Sequence, residues 1–297
     1  MKFSEVTKVL SLAAFRPDPD DCSFTWEKRF KKRKSLFLSI AREGVTWKSM
    51  DKNGMLSVSE FVPGALQDVL EDMASEFLEL SDGGWCCVSI NQRYVISLET
   101  NLMRKDSGFD VLRSTPRAVL GSKAERGKRY SLKHNSESNS SVLLSVDEAY
   151  IKEVESLLGR FGLKVGRICC GVFSMLSASL EQIEKAREEF KSNKPKKDLG
   201  NILNVISCYG SICILRMEGE KWMEMRSRVS LHKGKNIEPL RKIILPIIED
   251  MKSEDQIVFS GDEGSKYIKE ILNEVSPDMK INDISSINSL WNLMSKK

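Results

Sequence analysis

The feature that most constrains the fold is the stretch from Gly200 to Leu231, where three short apolar runs, residues 202–206, 211–217 and 221–231, are separated by Gly210 and Gly219. Runs of this length bounded by turn residues read as strands, and glycine supplies the positive φ that tight hairpins need. The stretch is read as a three-strand antiparallel meander. A helix-period segment follows, with Ile237, Leu240, Ile244, Ile248 and Met251 on one face, and then a buried-strand run, Ile257-Val258-Phe259. The order is β-β-β-α-β.

An earlier stretch repeats it. Residues 36–40, 44–48 and 55–61 are strand-like, with Gly44 and Asn53-Gly54 as turns. A helix carrying Ala65, Leu66, Val69, Leu70, Met73 and Phe77 on one face comes next, then a strand at 85–90. Self-similarity at this distance points to duplication.

Two such halves facing each other across a cleft resemble the actin-like ATPases, which have a ribonuclease H-like fold. Within them the pattern is similar to the type IV pilus assembly family PilM and to the cytoplasmic part of the type II secretion family GspL. Residues 140–168, with Val142-Leu143-Leu144-Ser145 before a helix and Gly162-Leu163-Lys164-Val165 after it, resemble that family's insertion subdomain. The meander resembles its second phosphate hairpin, and Ile257-Val258-Phe259-Ser260-Gly261-Asp262-Glu263-Gly264-Ser265 resembles its adenosine motif, a strand followed by Ser-Gly-Gly. The resemblance covers roughly residues 34–277 and implies a two-lobed α/β fold. Residues 1–34 are then an N-terminal helix and basic segment, 35–199 a first lobe with an insertion at about 121–170, and 200–297 a second lobe, the boundary falling in the polar linker 191–200.

Within the first lobe, residues 94–98 read as a strand antiparallel to 85–90, with Asn91-Gln92 at the turn. Residues 109–120 are a weak helix signal, and 121–141 a mostly exposed loop with a short strand at 130–133. The insertion helix has Asp147 as its N-cap, Tyr150, Ile151, Val154, Leu157, Leu158 and Phe161 inward, and Gly162 at C′. A further helix at 172–190 leads into the linker.

Most sequence signatures of chemistry are missing. There is no Gly-x-x-x-x-Gly-Lys-Ser/Thr, Gly-x-Gly-x-x-Gly, Gly-x-Ser-x-Gly or Cys-x-x-Cys, and neither His134 nor His232 reads as a poised base or ligand. The run Ser49 to Glu60 matches an EF-hand loop at four positions but lacks the first acid and an entering helix, so a hairpin turn is the better reading. Actin-like ATPases end the first strand of each half in an aspartate that holds Mg²⁺ through water, followed by glycines whose N–H groups face the phosphates. This chain offers Ser39-Ile40-Ala41-Arg42-Glu43-Gly44 and Ser207-Cys208-Tyr209-Gly210-Ser211, and Asp262 stands at the second glycine of the adenosine motif. The resemblance therefore places a degenerate nucleotide site at Arg42, Glu43, Gly44, Tyr209, Gly210, Ser211, Ser260, Gly261 and Gly264, without metal ligands or catalytic residues. Neither ATP nor Mg²⁺ is expected as a cofactor.

Composition adds the setting. The 46 basic and 42 acidic residues nearly cancel, which does not demand a nucleic-acid partner, and the basic stretches lack the aromatic interleaving of single-strand binders. Seven cysteines, an odd number, argue against a disulfide framework, and no run of some 18 apolar residues exists. A cytoplasmic protein is expected. Residues 1–15 have amphipathic helical spacing, and Lys28 to Lys34 holds six basic residues in seven; Lys31, Lys32, Arg33 and Lys34 are candidates for weak contact with anionic headgroups. Two functions follow from the resemblance. One is a non-catalytic scaffold of a pilus or type II secretion platform, peripheral to the inner membrane, docking to a PilN-like or GspL/GspM-like protein, with the assembly ATPase as a further partner. It would receive the partner's tail at the strand edges near 94–98 and 142–145. The other is an ATPase or small-molecule kinase in which Glu43 or Asp262 replaces the usual acids.

Overall fold

The computed structural model describes residues 34–102, 112, 115–193, 200–229, 238–252 and 255–295. The amphipathic stretch 1–15, Lys31, Lys32, Arg33, His232 and most of the linker lie outside them, as does part of the 109–120 helix signal.

The first half runs β1 (Ser35–Ile40), β2 (Gly44–Met50), β3 (Glu60–Pro63), α1 (Leu66–Leu80) and β4 (Trp85–Ile90). An inserted sheet follows, β5 (Tyr94–Thr100), α2 (Pro116–Leu120), β6 (Lys128–Asn135) and β7 (Ser140–Asp147), and then α3 (Glu148–Arg160) and β8 (Lys164–Cys170) return to the first sheet. After α4 (Gly171–Asn193) the second half runs β9 (Asn201–Cys208), β10 (Ser211–Glu218), β11 (Lys221–Arg228), α5 (Glu238–Ile248), β12 (Gln256–Ser260), α6 (Lys266–Val275), β13 (Lys280–Asp283) and α7 (Leu290–Ser295).

The two main sheets have the same order, β3-β2-β1-β4-β8 and β11-β10-β9-β12-β13. In each the first three strands form an antiparallel meander, the fourth lies parallel to the first, and the fifth parallel to the fourth. The duplication is therefore real and extends one helix and one strand beyond the β-β-β-α-β unit legible in the sequence. Parallel strands covered on both faces are apolar along their whole length, and β1, β4, β9 and β12 are buried almost throughout. α4 passes from one half to the other, packing on β8, β9, β10 and α7. One continuous core joins Phe37, Val88 and Phe173 of the first half to Ile206, Leu215 and Trp291 of the second.

Five sequence expectations need correction. The third strand begins at Glu60 rather than residue 55, because Ser57 Oγ takes the Ser49 N–H at 3.0 Å and a side chain thereby replaces the ladder's own acceptor. β5 does not pair with β4, whose two edges are filled by β1 and β8; it pairs with β7. The short strand expected at 130–133 is a full one over 128–135, inside a stretch read as mostly exposed loop: Tyr130 and Leu132 point into a small core with Val119 and Leu143, while Arg129 and Lys133 pair with Glu148 and Glu181. β7 is the middle strand of β5-β7-β6, so 142–145 offers no free edge. Asp147 does precede α3, but its carboxylate reaches Lys128 at 3.0 Å instead of capping.

Candidate functional site

The carboxyl ends of β1, β4, β8 and β9 converge where the halves meet. In open α/β sheets this is where ligands bind. Here the position is filled by Asn91, the residue after β4, which is 1% exposed. Its Nδ2 donates to Ser39 Oγ at 2.7 Å, and its Oδ1 accepts from Ser89 Oγ at 3.2 Å and from Cys208 Sγ at 3.4 Å. Its backbone carbonyl accepts from Ser211 Oγ at 2.6 Å. Ser39 and Ser89 come from the first half, Cys208 and Ser211 from the second. Burial pushes the Cys208 thiol well up, with the Asp262 charge acting in the same direction, so the sulfur keeps the proton it donates. Gly171 opens α4 against this cluster: a Cβ there would lie 2.5 Å from Ser89 Oγ, 2.7 Å from Cys208 Sγ and 2.8 Å from Asn91 Oδ1. Only glycine lets the helix start so close.

Next to the junction lies the β9–β10 turn. Tyr209 (φ 43°) and Gly210 (φ 85°) both have positive φ, the signature of a two-residue type I′ turn, which is costly for a bulky aromatic. Tyr209 is held there from both ends. Its N–H donates to Asp262 Oδ2 at 2.6 Å, and its buried ring meets Trp291 edge-on with centroids 5.7 Å apart. The Asp262 carboxylate also accepts from Gly264 N–H and Ser265 Oγ, each at 2.7 Å, and Ser265 Oγ lies 2.8 Å from Ser207 Oγ.

A clasp crosses the cleft mouth. Lys48 donates to Glu263 Oε1 at 3.0 Å, Ser59 Oγ donates to Glu263 Oε2, and Lys48 Nζ stands 5.7 Å from the Trp291 ring centroid. Partial burial works to raise the Glu263 pKa, but the hydrogen bonds from Ser59 and Lys48 outweigh it and leave it below the usual glutamate range. Beside the clasp a cavity of about 590 Å³ lies among Tyr209, Gly261, Asp262, Lys266, Ser289 and Trp291.

The residues singled out in the sequence are only partly brought together. Tyr209, Gly210, Ser211 and Gly264 meet around the junction and the Asp262 carboxylate, while Gly261 N–H donates to Ser285 Oγ at 2.9 Å. Ser260 is turned away, its Oγ donating to Asn288 O at 2.9 Å. Arg42 and Glu43 form the exposed β1–β2 turn, where the Glu43 charge, after burial and Asp262, helps raise the pKa of Tyr267 on α6. Gly44 is required by packing: a Cβ would collide with Val62 O and meet the Phe61 ring at 2.8 Å. Lys34 is exposed at the start of β1. The EF-hand-like run is a turn in which Asp51 Oδ1 accepts from Asn53 N–H and Met55 N–H at 2.9 and 2.8 Å. Among the described residues no group of three or more His, Cys, Asp or Glu is placed to share a metal ion. Sequence reasoning missed Asn91, Gly171, Lys48 and Glu263. Of these, only Asn91, a polar residue ending a buried apolar strand, carried a visible signal.

A scan of the sequence against protein-family models finds no match, and a search of curated proteins finds none either. Solved structures do resemble it. A Bacteroides thetaiotaomicron protein with actin-like ATPase fold and unknown function is similar over 91% of this chain and 98% of its own, at 11% identity and a TM-score of 0.50. A chain of the PilM–PilN type IV pilus biogenesis complex is similar over 87% of this chain and 89% of its own, at 11% identity and a TM-score of 0.52. The cytoplasmic domain of EpsL, an inner membrane component of the Vibrio cholerae type II secretion system, is similar over 77% and 82%, at 9% identity and a TM-score of 0.47. The chain has the actin-like ATPase fold.

Proposed function

We propose that this protein is a non-catalytic, PilM-like scaffold, a cytoplasmic component of the inner-membrane assembly platform of a type IV pilus or type II secretion system. The observation that carries the reading is the sealed junction at Asn91. An ATPase of this fold needs strand-end carboxylates for its metal and free backbone donors for phosphate. At those places stand Ser39 and Ser207, both buried, and the Tyr209 and Gly264 N–H groups already bonded to Asp262. Of the two substitute acids of the enzyme reading, Asp262 holds three donors and Glu43 lies on the exposed β1–β2 turn.

The likeness to the PilM–PilN complex supports a partner of the PilN kind, or a GspL/GspM-like one, whose cytoplasmic tail docks on this chain, with the assembly ATPase as a further contact. No helix of the described residues is long and apolar enough to cross a membrane, so attachment through a partner is the arrangement this reading adopts. Lys31, Lys32, Arg33 and Lys34 add weak, salt-sensitive attraction to anionic headgroups. No nucleic acid is involved.

Purified protein is expected to show no Mg-dependent ATP hydrolysis and no rise in melting temperature with millimolar Mg-ATP, whereas a ligand at a hundredfold excess over Kd would add about 2.7 kcal/mol. A clear rise would defeat the reading. In fractionated native cells, membrane association should vanish when the partner is deleted and largely survive alanine at Lys31, Lys32, Arg33 and Lys34. The opposite pattern would make lipid, not a protein, the anchor.

A further inference from the structure

The turn between β12 and α6 holds the Asp262 charge, whose bonds the scaffold reading uses only as a sign that the donors are engaged. Asp262 comes from one segment, but the donors that converge on it come from two: Tyr209 N–H at 2.6 Å from the β9–β10 turn, and Gly264 N–H and Ser265 Oγ, each at 2.7 Å, from the start of α6. Two backbone N–H groups and a hydroxyl around one point, at the positive end of a ten-residue helix, are the components of an oxyanion nest. The carboxylate also borders the cavity of about 590 Å³. The room and the donors for a small oxyanion are both present, and the chain's own side chain occupies the place.

We propose that Asp262 is an internal ligand: its carboxylate fills an oxyanion nest made by Tyr209, Gly264 and Ser265, holds Tyr209 in its left-handed conformation, and keeps phosphate-class anions out. The inference deepens the non-catalytic reading and rests on it for the absence of a nucleotide in the native protein. Charge exclusion and donor occupancy act together. An anion entering from the cavity would meet a like charge and find each of these three donors engaged.

The test uses the full chain with Asp262→Gly and Asp262→Asn, and inorganic phosphate and formate as probes against chloride at matched ionic strength. In Asp262→Gly, phosphate and formate should raise the melting temperature saturably, with half-saturation at least about tenfold below wild type, equivalent to about 1.4 kcal/mol. If the glycine variant unfolds in chloride, it should refold from urea in phosphate. A folded glycine variant indifferent to both anions, one that fails to refold with either, or a wild type that responds as strongly would overturn the proposal. Asp262→Asn keeps the side chain's size but sets an NH₂ against one donor. Its Tyr209 or Gly264 amide should exchange with solvent at least about tenfold faster than in wild type, and unchanged rates at both would equally overturn it. Mg-ATP on wild type decides the scaffold reading separately. Stabilisation there would sink that reading, while an inert glycine variant would sink the internal ligand alone.

Discussion

Asn91→Ala is the most direct probe of whether the halves are sealed together. The side chain is 1% exposed and makes three hydrogen bonds, to Ser39 (2.7 Å), Ser89 (3.2 Å) and Cys208 (3.4 Å). A neutral hydrogen bond contributes about 1 kcal/mol net, and a buried polar group left without a partner costs about 1–3 kcal/mol. The thiol bond is long and weak, so two hydroxyl bonds and the space left by the amide dominate, giving a loss of about 3 kcal/mol. Urea unfolding followed by tryptophan fluorescence would register this as a midpoint lower by about 1 M if the slope is about 3 kcal/mol/M. Lys152→Ala, which removes an exposed pair to Glu148 at 3.7 Å, serves as the control and should stay within about 0.5 kcal/mol. The Asn91 partners lie on both halves, so the variant should weaken them together. A loss below about 1 kcal/mol, or a biphasic curve with one half untouched, would mean that water reaches the junction and the cleft is open.

Two further outcomes follow from the same geometry. Gly44→Ala should cost about 2–3 kcal/mol in the same assay, because the new methyl meets Val62 O and backbone cannot yield without breaking the β2–β3 pairing; a variant within about 0.5 kcal/mol of wild type would return Gly44 to a role in the cleft. The Glu263 carboxyl is held below the ordinary 4.5, so the clasp's contribution is complete above that value and disappears as pH falls through the depressed one. Wild type should therefore lose stability relative to Glu263→Gln between about pH 5 and pH 3, by under about 1 kcal/mol for so exposed a pair. A gap that is flat across that range would show that Lys48 and Ser59 do not hold the charged form.

The sheets were legible because their information is local. Short apolar runs and turn glycines put strands at 36–40, 85–90, 202–206 and 257–259, and all lie inside observed strands. Partnership was not local. Residues 94–98 were readable as a strand, but their pairing with β7 rather than β4 depends on β8, some 70 residues on, claiming the edge of β4. In β6 the polar residues that suggested a loop are satisfied by Asp147, Glu148 and Glu181, acids that sequence spacing does not connect to it. The site was the least legible part. Asn91 acquires its meaning from Ser39, Ser89, Gly171, Cys208 and Ser211, which converge only after both sheets have formed.

The serines at the strand ends and the tight packing of the junction are one fact seen from two sides. Ser39 is 0% exposed and Ser207 2%, with the Asn91 amide and the Ser265 hydroxyl as their respective partners. A carboxylate at either place would sit in this dry junction without water or a cation, and an uncompensated buried charge costs several kcal/mol. Aspartates there would force the halves apart until water or a metal reached them; serines, which need one hydrogen bond each, let the halves meet. Once they meet, Gly171 brings α4 against Asn91, and the backbone N–H groups of the β9–β10 turn and of the α6 start need an acceptor from within the chain. Asp262 supplies it. Serine at the strand ends and an acid at the turn are thus physically coupled, the first permitting closure and the second satisfying the donors that closure leaves behind.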